Sequence, residues 1–227
     1  MRNMTTTCEA LSPRSQEGRQ PGMSYWVAKR VLDLTVASVA LALLSPVLAV
    51  VSVAIRFIMG GPVLFRQLRL GWKDRPFYIV KLRTMKELRD PRDRMLPDAE
   101  RLTPFGRYLR VLSIDELPQL WTVIIGEMSL VGPRPLPPEY LPRYTARQAR
   151  RHEVKPGITG WAQVNGRNGL SWEKKFELDV WYVDHRSLWL DVKILWMTLL
   201  KVLRREGISQ DGHATMPEFR GSAQAHE

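Results

Sequence analysis

The adjacent carboxylates Asp115 and Glu116 are the side chains in this sequence best suited to catalysis. They lie in the segment SIDELPQ, which begins at Ser113 and directly precedes the apolar stretch LWTVII. A helix dipole would favour an ionised Asp115 and keep it available as a nucleophile. Glu116 has the chemistry of a Mg²⁺ ligand, since proteins hold this cation through one or two carboxylates together with substrate phosphates.

The same segment has a second interpretation, in which these side chains only cap a helix. Ser113 and Glu116 match the spacing of a capping box, and Asp115 is itself a good N-cap residue. Pro118 favours Asp115 as the cap, because proline is tolerated in the first helical turn and disrupts later ones. Capping is the commoner use of such sequences, so spacing alone favours it over catalysis.

Two further segments are suited to binding a phosphorylated ligand. Arg134 stands between two prolines in MSLVGPRP, and a guanidinium on stiff backbone suits a phosphate clamp. Considered alone, an exposed loop arginine is the commoner case. The segment PGITGWAQVNGRN, residues 156–168, has three glycines that let backbone approach a ligand, and Trp161 offers a stacking face. A set of structural turns is the alternative interpretation of this segment.

The chain also contains a segment that predicts membrane association, since 22 uncharged residues separate Asp33 from Arg56. A helix of that length reaches roughly 33 Å, about the thickness of the hydrocarbon core. Pro46 lacks the N–H that would bond Ala42, so we expect the helix to kink or break at Ser45-Pro46, where the serine can satisfy a freed backbone group. Basic residues flank both ends, which favours a re-entrant helix that returns to the cytoplasmic face. A kinked single-pass anchor is an equal alternative.

The rest of the chain predicts an α+β domain that is mostly helical with a small β-hairpin. VLFRQL and FYIVKL have strand character on either side of the turn GWKDRP. Ser171–Val183 and Leu190–Arg205 have helical periodicity, and the second helix places Asp191 on its polar stripe. We expect a disordered leader over 1–22, the re-entrant membrane helix over 23–60, a cytosolic catalytic domain over 61–207, and a tail over 208–227 that is disordered like the leader.

Composition narrows the class of partner. The formal charge of +11 indicates an acidic partner, and the membrane segment favours anionic lipids or phosphorylated substrates over nucleic acid. The single cysteine, Cys8, excludes an intramolecular disulfide and fits a reducing compartment. No H-E-x-x-H or G-x-S-x-G motif occurs, which disfavours zinc hydrolysis and serine-triad chemistry.

Two rival hypotheses stay open at this point. A membrane-tethered protein that binds nucleic acid or anionic lipid is motivated by the net charge and by the arginines between 143 and 151. A membrane phosphatase or diphosphate hydrolase would use the same aspartate and release free sugar phosphate without a lipid acceptor.

Taken together and in this order, the motifs resemble those of the bacterial sugar transferase family, the monotopic phosphoglycosyl transferases. The resemblance covers about Tyr25 to Gly221. It is carried by KR-x-x-D before the membrane segment, GPVLFRQ-x-R-x-G, K-x-R-T-M, S-x-DELPQL, MSLVGPRPL, KPGITGWAQVNGRN and the closing GISQDGHATMPEF. The sequence departs from the family pattern at a few positions, Leu82, Ala99, Thr122 and Glu127.

The resemblance implies a site and a reaction. Asp115 would be the nucleophile, Glu116 the Mg²⁺ ligand, and Ser45-Pro46 the break of a re-entrant helix. The basic residues Lys81, Arg110 and Arg134 would contact phosphate. In the glycine-rich motif the candidate substrate-binding residues are Gly160, Gln163 and Arg167.

The implied reaction moves a sugar 1-phosphate from a UDP-sugar to undecaprenyl phosphate and releases UMP, as the first membrane step of glycan or glycoconjugate assembly. The small size, with no additional membrane spans, and the stretch EKKFELDVWYV resemble the members that act on diacetamido sugars, which implies UDP-N,N'-diacetylbacillosamine or a related N-acetyl sugar. UDP-glucose or UDP-galactose is the alternative donor. Membrane lipids are expected partners, nucleic acid is not, and the expected location is the cytoplasmic face of the bacterial inner membrane.

Overall fold

The chain forms eight α-helices and four short strands within the residues that the computed structural model describes, which are 22–166, 169–204 and 218–221. The helices are α1 (Met23–Met59), α2 (Asp98–Arg101), α3 (Pro104–Val111), α4 (Gln119–Ile125), α5 (Ala146–Ala149), α6 (Trp161–Val164), α7 (Trp172–His185) and α8 (Leu188–Arg204). The strands are β1 (Leu64–Leu70), β2 (Pro76–Leu82), β3 (Ser129–Val131) and β4 (Gly157–Thr159). The predicted class, mostly helical with a small hairpin, is confirmed. Apart from Gly22, the predicted leader lies outside the described residues.

The predicted β-hairpin is present. Strands β1 and β2 pair antiparallel from Leu64 opposite Leu82 to Leu70 opposite Pro76. Side chains alternate along β2, so Phe77 and Ile79 face the main hydrophobic core and Lys81 leaves the strand on that same face. One face of the hairpin therefore carries Lys81, and Leu82 on the other face packs against Ile55 of α1.

The parallel pair β3–β4 was not predicted. Ser129 pairs with Gly157 and Val131 with Thr159, so the start of the glycine-rich segment is a strand and not a set of turns. Glycine is required at this position because a Cβ on Gly157 would lie 2.1 Å from the backbone N of Gly132. The pairing brings two segments that are far apart in sequence to the same edge of the core.

Helix α1 runs from Met23 to Met59 with Pro46 inside it, so a complete break of the helix at Ser45-Pro46 is wrong, while the expected kink at this proline stays a prediction. Both residues lie inside it. Ser45 Oγ donates to the carbonyl of Ala42 at 2.8 Å, which is the carbonyl that Pro46 leaves without its helical partner. The serine thus satisfies the freed backbone group as expected, and this contact supports continuous helix across the proline.

Both halves of α1 pack against the same globular part of the chain. Ala37 in the first half belongs to the main core with Val123, and Ile55 in the second half packs with Leu82 and Leu109. A helix that crossed a bilayer once would carry one of these ends away from the domain. The packing therefore favours the arrangement in which both flanks stay on one side of the membrane.

The remaining face of α1 is apolar and exposed, as expected of a membrane-associated helix. Its most apolar window has a mean hydropathy of 2.4, yet only 6% of that window is buried, which is unlike the core helix of a water-soluble protein. The exposed face carries large aliphatic and aromatic side chains, Val31, Val39, Leu43, Val50 and Phe57. This surface is long and apolar enough to lie in lipid.

A buried ion pair joins the first half of α1 to α8. Lys29 Nζ lies 2.9 Å from Asp191 Oδ2, and both side chains are almost completely buried. Tyr25 and Tyr182 also donate hydrogen bonds to Asp191, at 3.2 and 2.6 Å. Asp191 is fully buried, so its predicted place on an exposed polar stripe is wrong. Helical periodicity identifies the apolar face of a helix. It does not show that a residue distant in sequence, here Lys29, pairs with a charged side chain and allows it to be buried.

The same helix holds strand β3. Lys29 donates to the carbonyl of Val131 at 3.0 Å, and Asp33, one turn later, accepts from the N–H of Leu130 at 3.0 Å and from Ser129 Oγ at 3.1 Å. The KR-x-x-D motif thus places a lysine and an aspartate on one face of α1. Together they fix the strand that leads to Arg134.

The predicted disorder of the C-terminal tail is wrong for residues 218–221. Phe219 is fully buried among Tyr140, Phe176 and Trp172, and Glu218 forms an ion pair with Arg143 at 2.7 Å. One large aromatic side chain in a polar segment is enough to anchor it where the domain offers an aromatic cluster.

We expect Lys29→Met to destabilise the protein by about 3–5 kcal/mol, because it leaves the Asp191 carboxylate buried without its cation. Thermal unfolding in detergent measures the loss. The double variant Lys29→Met with Asp191→Leu removes both charges and should recover most of it. A double variant no more stable than the single one would show that the pair is not what limits stability here.

Candidate active site

The turn Ile114–Glu116 presents the two adjacent carboxylates between α3 and α4. Ser113 has a left-handed backbone (φ 55°), which redirects the chain after α3. Helix α4 begins only at Gln119, with Pro118 at its N-cap, and neither Ser113 nor Asp115 caps a helix through its side chain. The capping interpretation that spacing favoured is therefore wrong, and both carboxylates are available for other contacts.

Glu116 is held by two cations from different parts of the fold. Lys81 Nζ, from β2, lies 2.6 Å from Oε1, and Arg134 Nη2, from the loop after β3, lies 2.5 Å from the same oxygen. Burial would raise the pKa of Glu116, but the charges of Arg134 and Lys81 outweigh it and hold the pKa well below its usual range. Glu116 is therefore an anion at every physiological pH.

Asp115 has a different environment although it is the next residue. Only 7% of it is exposed, and burial, followed by the charge of Glu116, raises the pKa of its carboxyl to about 6. The charges of Lys81, Arg110 and Arg134 act in the opposite direction. Two neighbouring carboxyls with pKa values displaced in opposite directions are typical of catalytic sites.

Arg110 completes the predicted cluster. It lies in the last turn of α3, and its Nε donates to Thr84 Oγ1 at 3.0 Å. Its charge lowers the pKa of Asp115. Five of the residues singled out in the sequence, from four separate segments, thus come together. They are Lys81, Arg110, Asp115, Glu116 and Arg134.

The donor set for a cation is small. The described residues contain no group of three or more His, Cys, Asp or Glu side chains arranged to hold a metal ion. Asp115 and Glu116 supply two carboxylates, which fits Mg²⁺, a cation that proteins commonly bind through one or two carboxylates and a substrate's phosphates. Glu116 already accepts from Lys81 and Arg134, so a cation there would share or replace those contacts.

The glycine-rich segment lies beside this cluster and mainly supports it. Gly160 is packed so closely that a Cβ would lie 2.1 Å from the carbonyl of Gly132, two residues before Arg134. Trp161 stacks on Trp181 at 5.0 Å between ring centroids, so that face is used within the protein. Gln163 differs, because both polar atoms of its amide are buried without a hydrogen-bond partner in the described part of the chain. Arg167 lies outside the described residues.

Arg151 was missed as a site residue, because the sequence shows it only as one of a run of arginines. Its Nη2 donates to the carbonyl of Arg134 at 2.6 Å and to Asp179 Oδ2 at 2.8 Å, and the Arg151–Asp179 pair is buried. It therefore fixes the backbone of Arg134. Arg150 and Arg143 are likewise paired, with Asp184 and Glu218 at 2.6 and 2.7 Å. The run is largely neutralised within the fold and does not form a free basic surface.

Two more basic side chains, Arg69 and Lys175, are close enough to Arg134 for its charge to lower their pKa values. Burial, then the charge of Arg134, lowers the pKa of Arg69 to about 10 and the pKa of Lys175 to about 8. Positive charge is thus in excess around Arg134. A site with a buried carboxylate nucleophile candidate next to such an excess is suited to attack on a phosphate or diphosphate, where the cations neutralise the anion that must approach.

Comparison with known proteins agrees with this geometry. The chain is 56% identical over 196 residues to "Uncharacterized sugar transferase EpsL" of Bacillus subtilis (strain 168), covering 86% of this chain and 97% of that protein. It is 40% identical over 186 residues to a UDP-glucose:undecaprenyl-phosphate glucose-1-phosphate transferase of Klebsiella pneumoniae, covering 77% of this chain but only 40% of that protein. It is 39% identical to a UDP-galactose-lipid carrier transferase of Erwinia amylovora, covering 79% and 41%.

The family model described as bacterial sugar transferase matches residues 24–205, which include α1, the hairpin, the carboxylate pair and both long C-terminal helices. That match and the relatives agree with the motifs and with the site they form, and we conclude that the chain belongs to the bacterial sugar transferase family.

Proposed function

We propose that the protein transfers a sugar 1-phosphate from a UDP-sugar to undecaprenyl phosphate and releases UMP, through a sugar-phosphoryl intermediate on Asp115. The observation that carries this proposal is the environment of Asp115: it caps no helix, is buried, and is surrounded by Lys81, Arg110 and Arg134. The names of the relatives support the two substrates.

The chemistry requires two displacements at one phosphorus. Asp115 attacks the phosphorus next to the sugar, the bond to the bridging oxygen breaks, and UMP leaves with that oxygen. A phosphate oxygen of undecaprenyl phosphate then attacks the same phosphorus, and the Asp115 carboxylate leaves. Arg134 and Lys81 offset the repulsion between anions in both steps. The lipid product is a diphosphate that carries the sugar.

We further propose that Glu116 helps to hold Mg²⁺ when the diphosphate is bound. The cation would neutralise the phosphate charge and polarise a phosphoryl oxygen. Arg134 and Lys81 hold Glu116 in place and ionised, ready for such a role.

The names of some relatives support a choice of donor sugar. Their names give glucose and galactose, and none supports the diacetamido sugar that the sequence resemblance implied. We therefore propose a UDP-hexose of this kind as the donor. UMP release from a panel that contains UDP-glucose, UDP-galactose and UDP-N,N'-diacetylbacillosamine decides between them.

We also propose that the catalytic domain, residues 61–207, faces the cytoplasm and that α1 lies in the inner membrane with both flanks on that side. The contacts of both halves of α1 with the domain support this topology. Single cysteines near Ser24 and Lys73, in a chain without Cys8, should both be labelled only from the cytoplasmic side.

Asp115→Asn should abolish the first half-reaction, because an amide cannot form the phosphoryl intermediate. Wild-type protein with UDP-sugar, Mg²⁺ and no lipid should release at most about one equivalent of UMP per site and gain the mass of a sugar phosphate. Asp93→Asn, at an exposed loop carboxylate, serves as the matched control and should behave like the wild type. Release of many equivalents without lipid would identify a hydrolase, and transfer without any adduct would indicate direct attack in a ternary complex.

The rate of that first half-reaction should rise with pH through about 6, the pKa of Asp115, because only the ionised carboxylate attacks. In Glu116→Gln the increase of the remaining rate with pH should occur at a lower pH than in the wild type, because the variant lacks a negative charge that raises the pKa of Asp115. Arg110→Gln should move the rise to higher pH for the opposite reason. Rate profiles from rapid-quench measurement test both signs, and unchanged profiles in both variants would exclude Asp115 as the titrating group.

A further inference from the structure

An open groove of about 420 Å³ lies between α1, the hairpin and the start of α4. Its volume is within the roughly 300–1,000 Å³ typical of small-molecule sites. The walls are mostly apolar, with Leu41 and Leu48 from α1, Leu64 and Val80 from the hairpin, and Trp121 from α4. Neither the carboxylate cluster nor the glycine-rich segment lines this groove.

The groove follows from the register of the hairpin. Leu64 pairs with Leu82 and Arg66 with Val80, and side chains of these positions share the face that is turned away from the main core. Leu82 is buried against Ile55 of α1, which closes one end. Trp121 of α4, which is 57% exposed, forms the third wall.

One part of the groove adjoins the catalytic cluster. Pro118 lines it and lies three residues after Asp115. Val80 and Leu82 line it as well, while Lys81 between them points to the opposite face and contacts Glu116 at 2.6 Å. The groove and the catalytic cluster are therefore connected through β2 and through the short segment from Asp115 to Pro118.

The groove combines an apolar surface with one basic side chain. Arg66 is the charged residue of its lining, it is exposed, and it forms no ion pair within the described part of the chain. Leu41 and Leu48 of the lining belong to α1, and between them in sequence Leu43 is 73% and Val47 43% exposed. An occupant that complements this surface has an anionic head and a long apolar tail that reaches the groove from the membrane.

We propose that this groove holds the first isoprene units of the lipid acceptor, with its phosphate near Arg66 and Asp115 and the rest of its tail along α1. The assignment rests on the proposed function, since that reaction requires a polyprenyl phosphate at Asp115 in its second step. A UDP-sugar gains nothing from aliphatic walls, so the two substrates approach the aspartate from different sides: the nucleotide from the basic side around Arg134, the lipid from the groove.

The test separates the two half-reactions. Ser52 lies in the groove, and Ser52→Trp should fill it. Its neighbour Val53 is 56% exposed outside the lining, so Val53→Trp adds the same bulk to the same helix and serves as the matched control. UMP release without lipid, at about one equivalent per site, reports an intact fold and an intact first step in each variant.

We expect Ser52→Trp to keep that release and to raise the KM for undecaprenyl phosphate by about tenfold or more. Val53→Trp should stay within about twofold of the wild type. Arg66→Gln should raise the same KM and leave UMP release without lipid unchanged. If Ser52→Trp fails to fold, Trp121→Ala, which removes the exposed wall, decides in its place and should likewise raise only the lipid KM.

Equal lipid KM values in Ser52→Trp, Arg66→Gln, Trp121→Ala and the wild type would overturn the assignment, and the groove would then hold an ordinary phospholipid chain or a second copy of the protein. A wild-type protein that releases no UMP from any UDP-sugar would contradict the proposed function itself. The two failures are thus distinguishable, because the first leaves the reaction without lipid intact.

Discussion

The arrangement of the site depends on one partly buried carboxylate held by two cations. Glu116 receives Lys81 from the hairpin and Arg134 from the loop after β3, at 2.6 and 2.5 Å. Removing part of a carboxylate's hydration costs free energy, and the charges of the two partners offset that cost. Each partner comes from a different segment, so the hairpin, the carboxylate turn and the β3 loop must all be correctly positioned before the pair Asp115-Glu116 has its displaced pKa values.

The membrane helix takes part in that positioning. Lys29 and Asp33 bond the backbone of β3, and the strand continues through Gly132 and Pro133 to Arg134. Arg151 fixes the backbone of Arg134 from the other side. Helix α1 therefore has two different faces: its exposed face is apolar and suited to lipid, and its buried face holds the strand that leads to Arg134 of the candidate active site. This explains physically why a membrane segment and a polar site are built as one unit.

The excess positive charge of the protein is concentrated near Arg134. Several arginines of the 143–151 run are paired with carboxylates, whereas Arg69, Arg134 and Lys175 lie near one another with their charges in mutual opposition. Gathering like charges costs free energy in the empty protein, and a bound diphosphate would recover it. The distribution of charge, more than its total, thus suits a phosphorylated ligand.

Local patterns in the sequence were sufficient for the elements that depend on nearby residues. Alternation predicted the hairpin, helical periodicity predicted α7 and α8, and an uncharged run predicted the lipid-facing helix. The motifs identified the residues of the cluster, because residue type and order carry the chemistry. The roles assigned to those residues remain proposals that the geometry supports.

Only the tertiary structure decided what depends on contacts between distant segments. Spacing favoured Asp115 as a helix cap, but α4 begins four residues later and leaves its carboxylate buried beside three cations. Asp191 has the type of a surface residue and is buried because Lys29 pairs with it across 162 positions of sequence. The β3–β4 pairing and the burial of Phe219 have the same origin. The sequence by itself determined which groups are present and which faces are apolar, while long-range packing determined which polar groups meet and are buried.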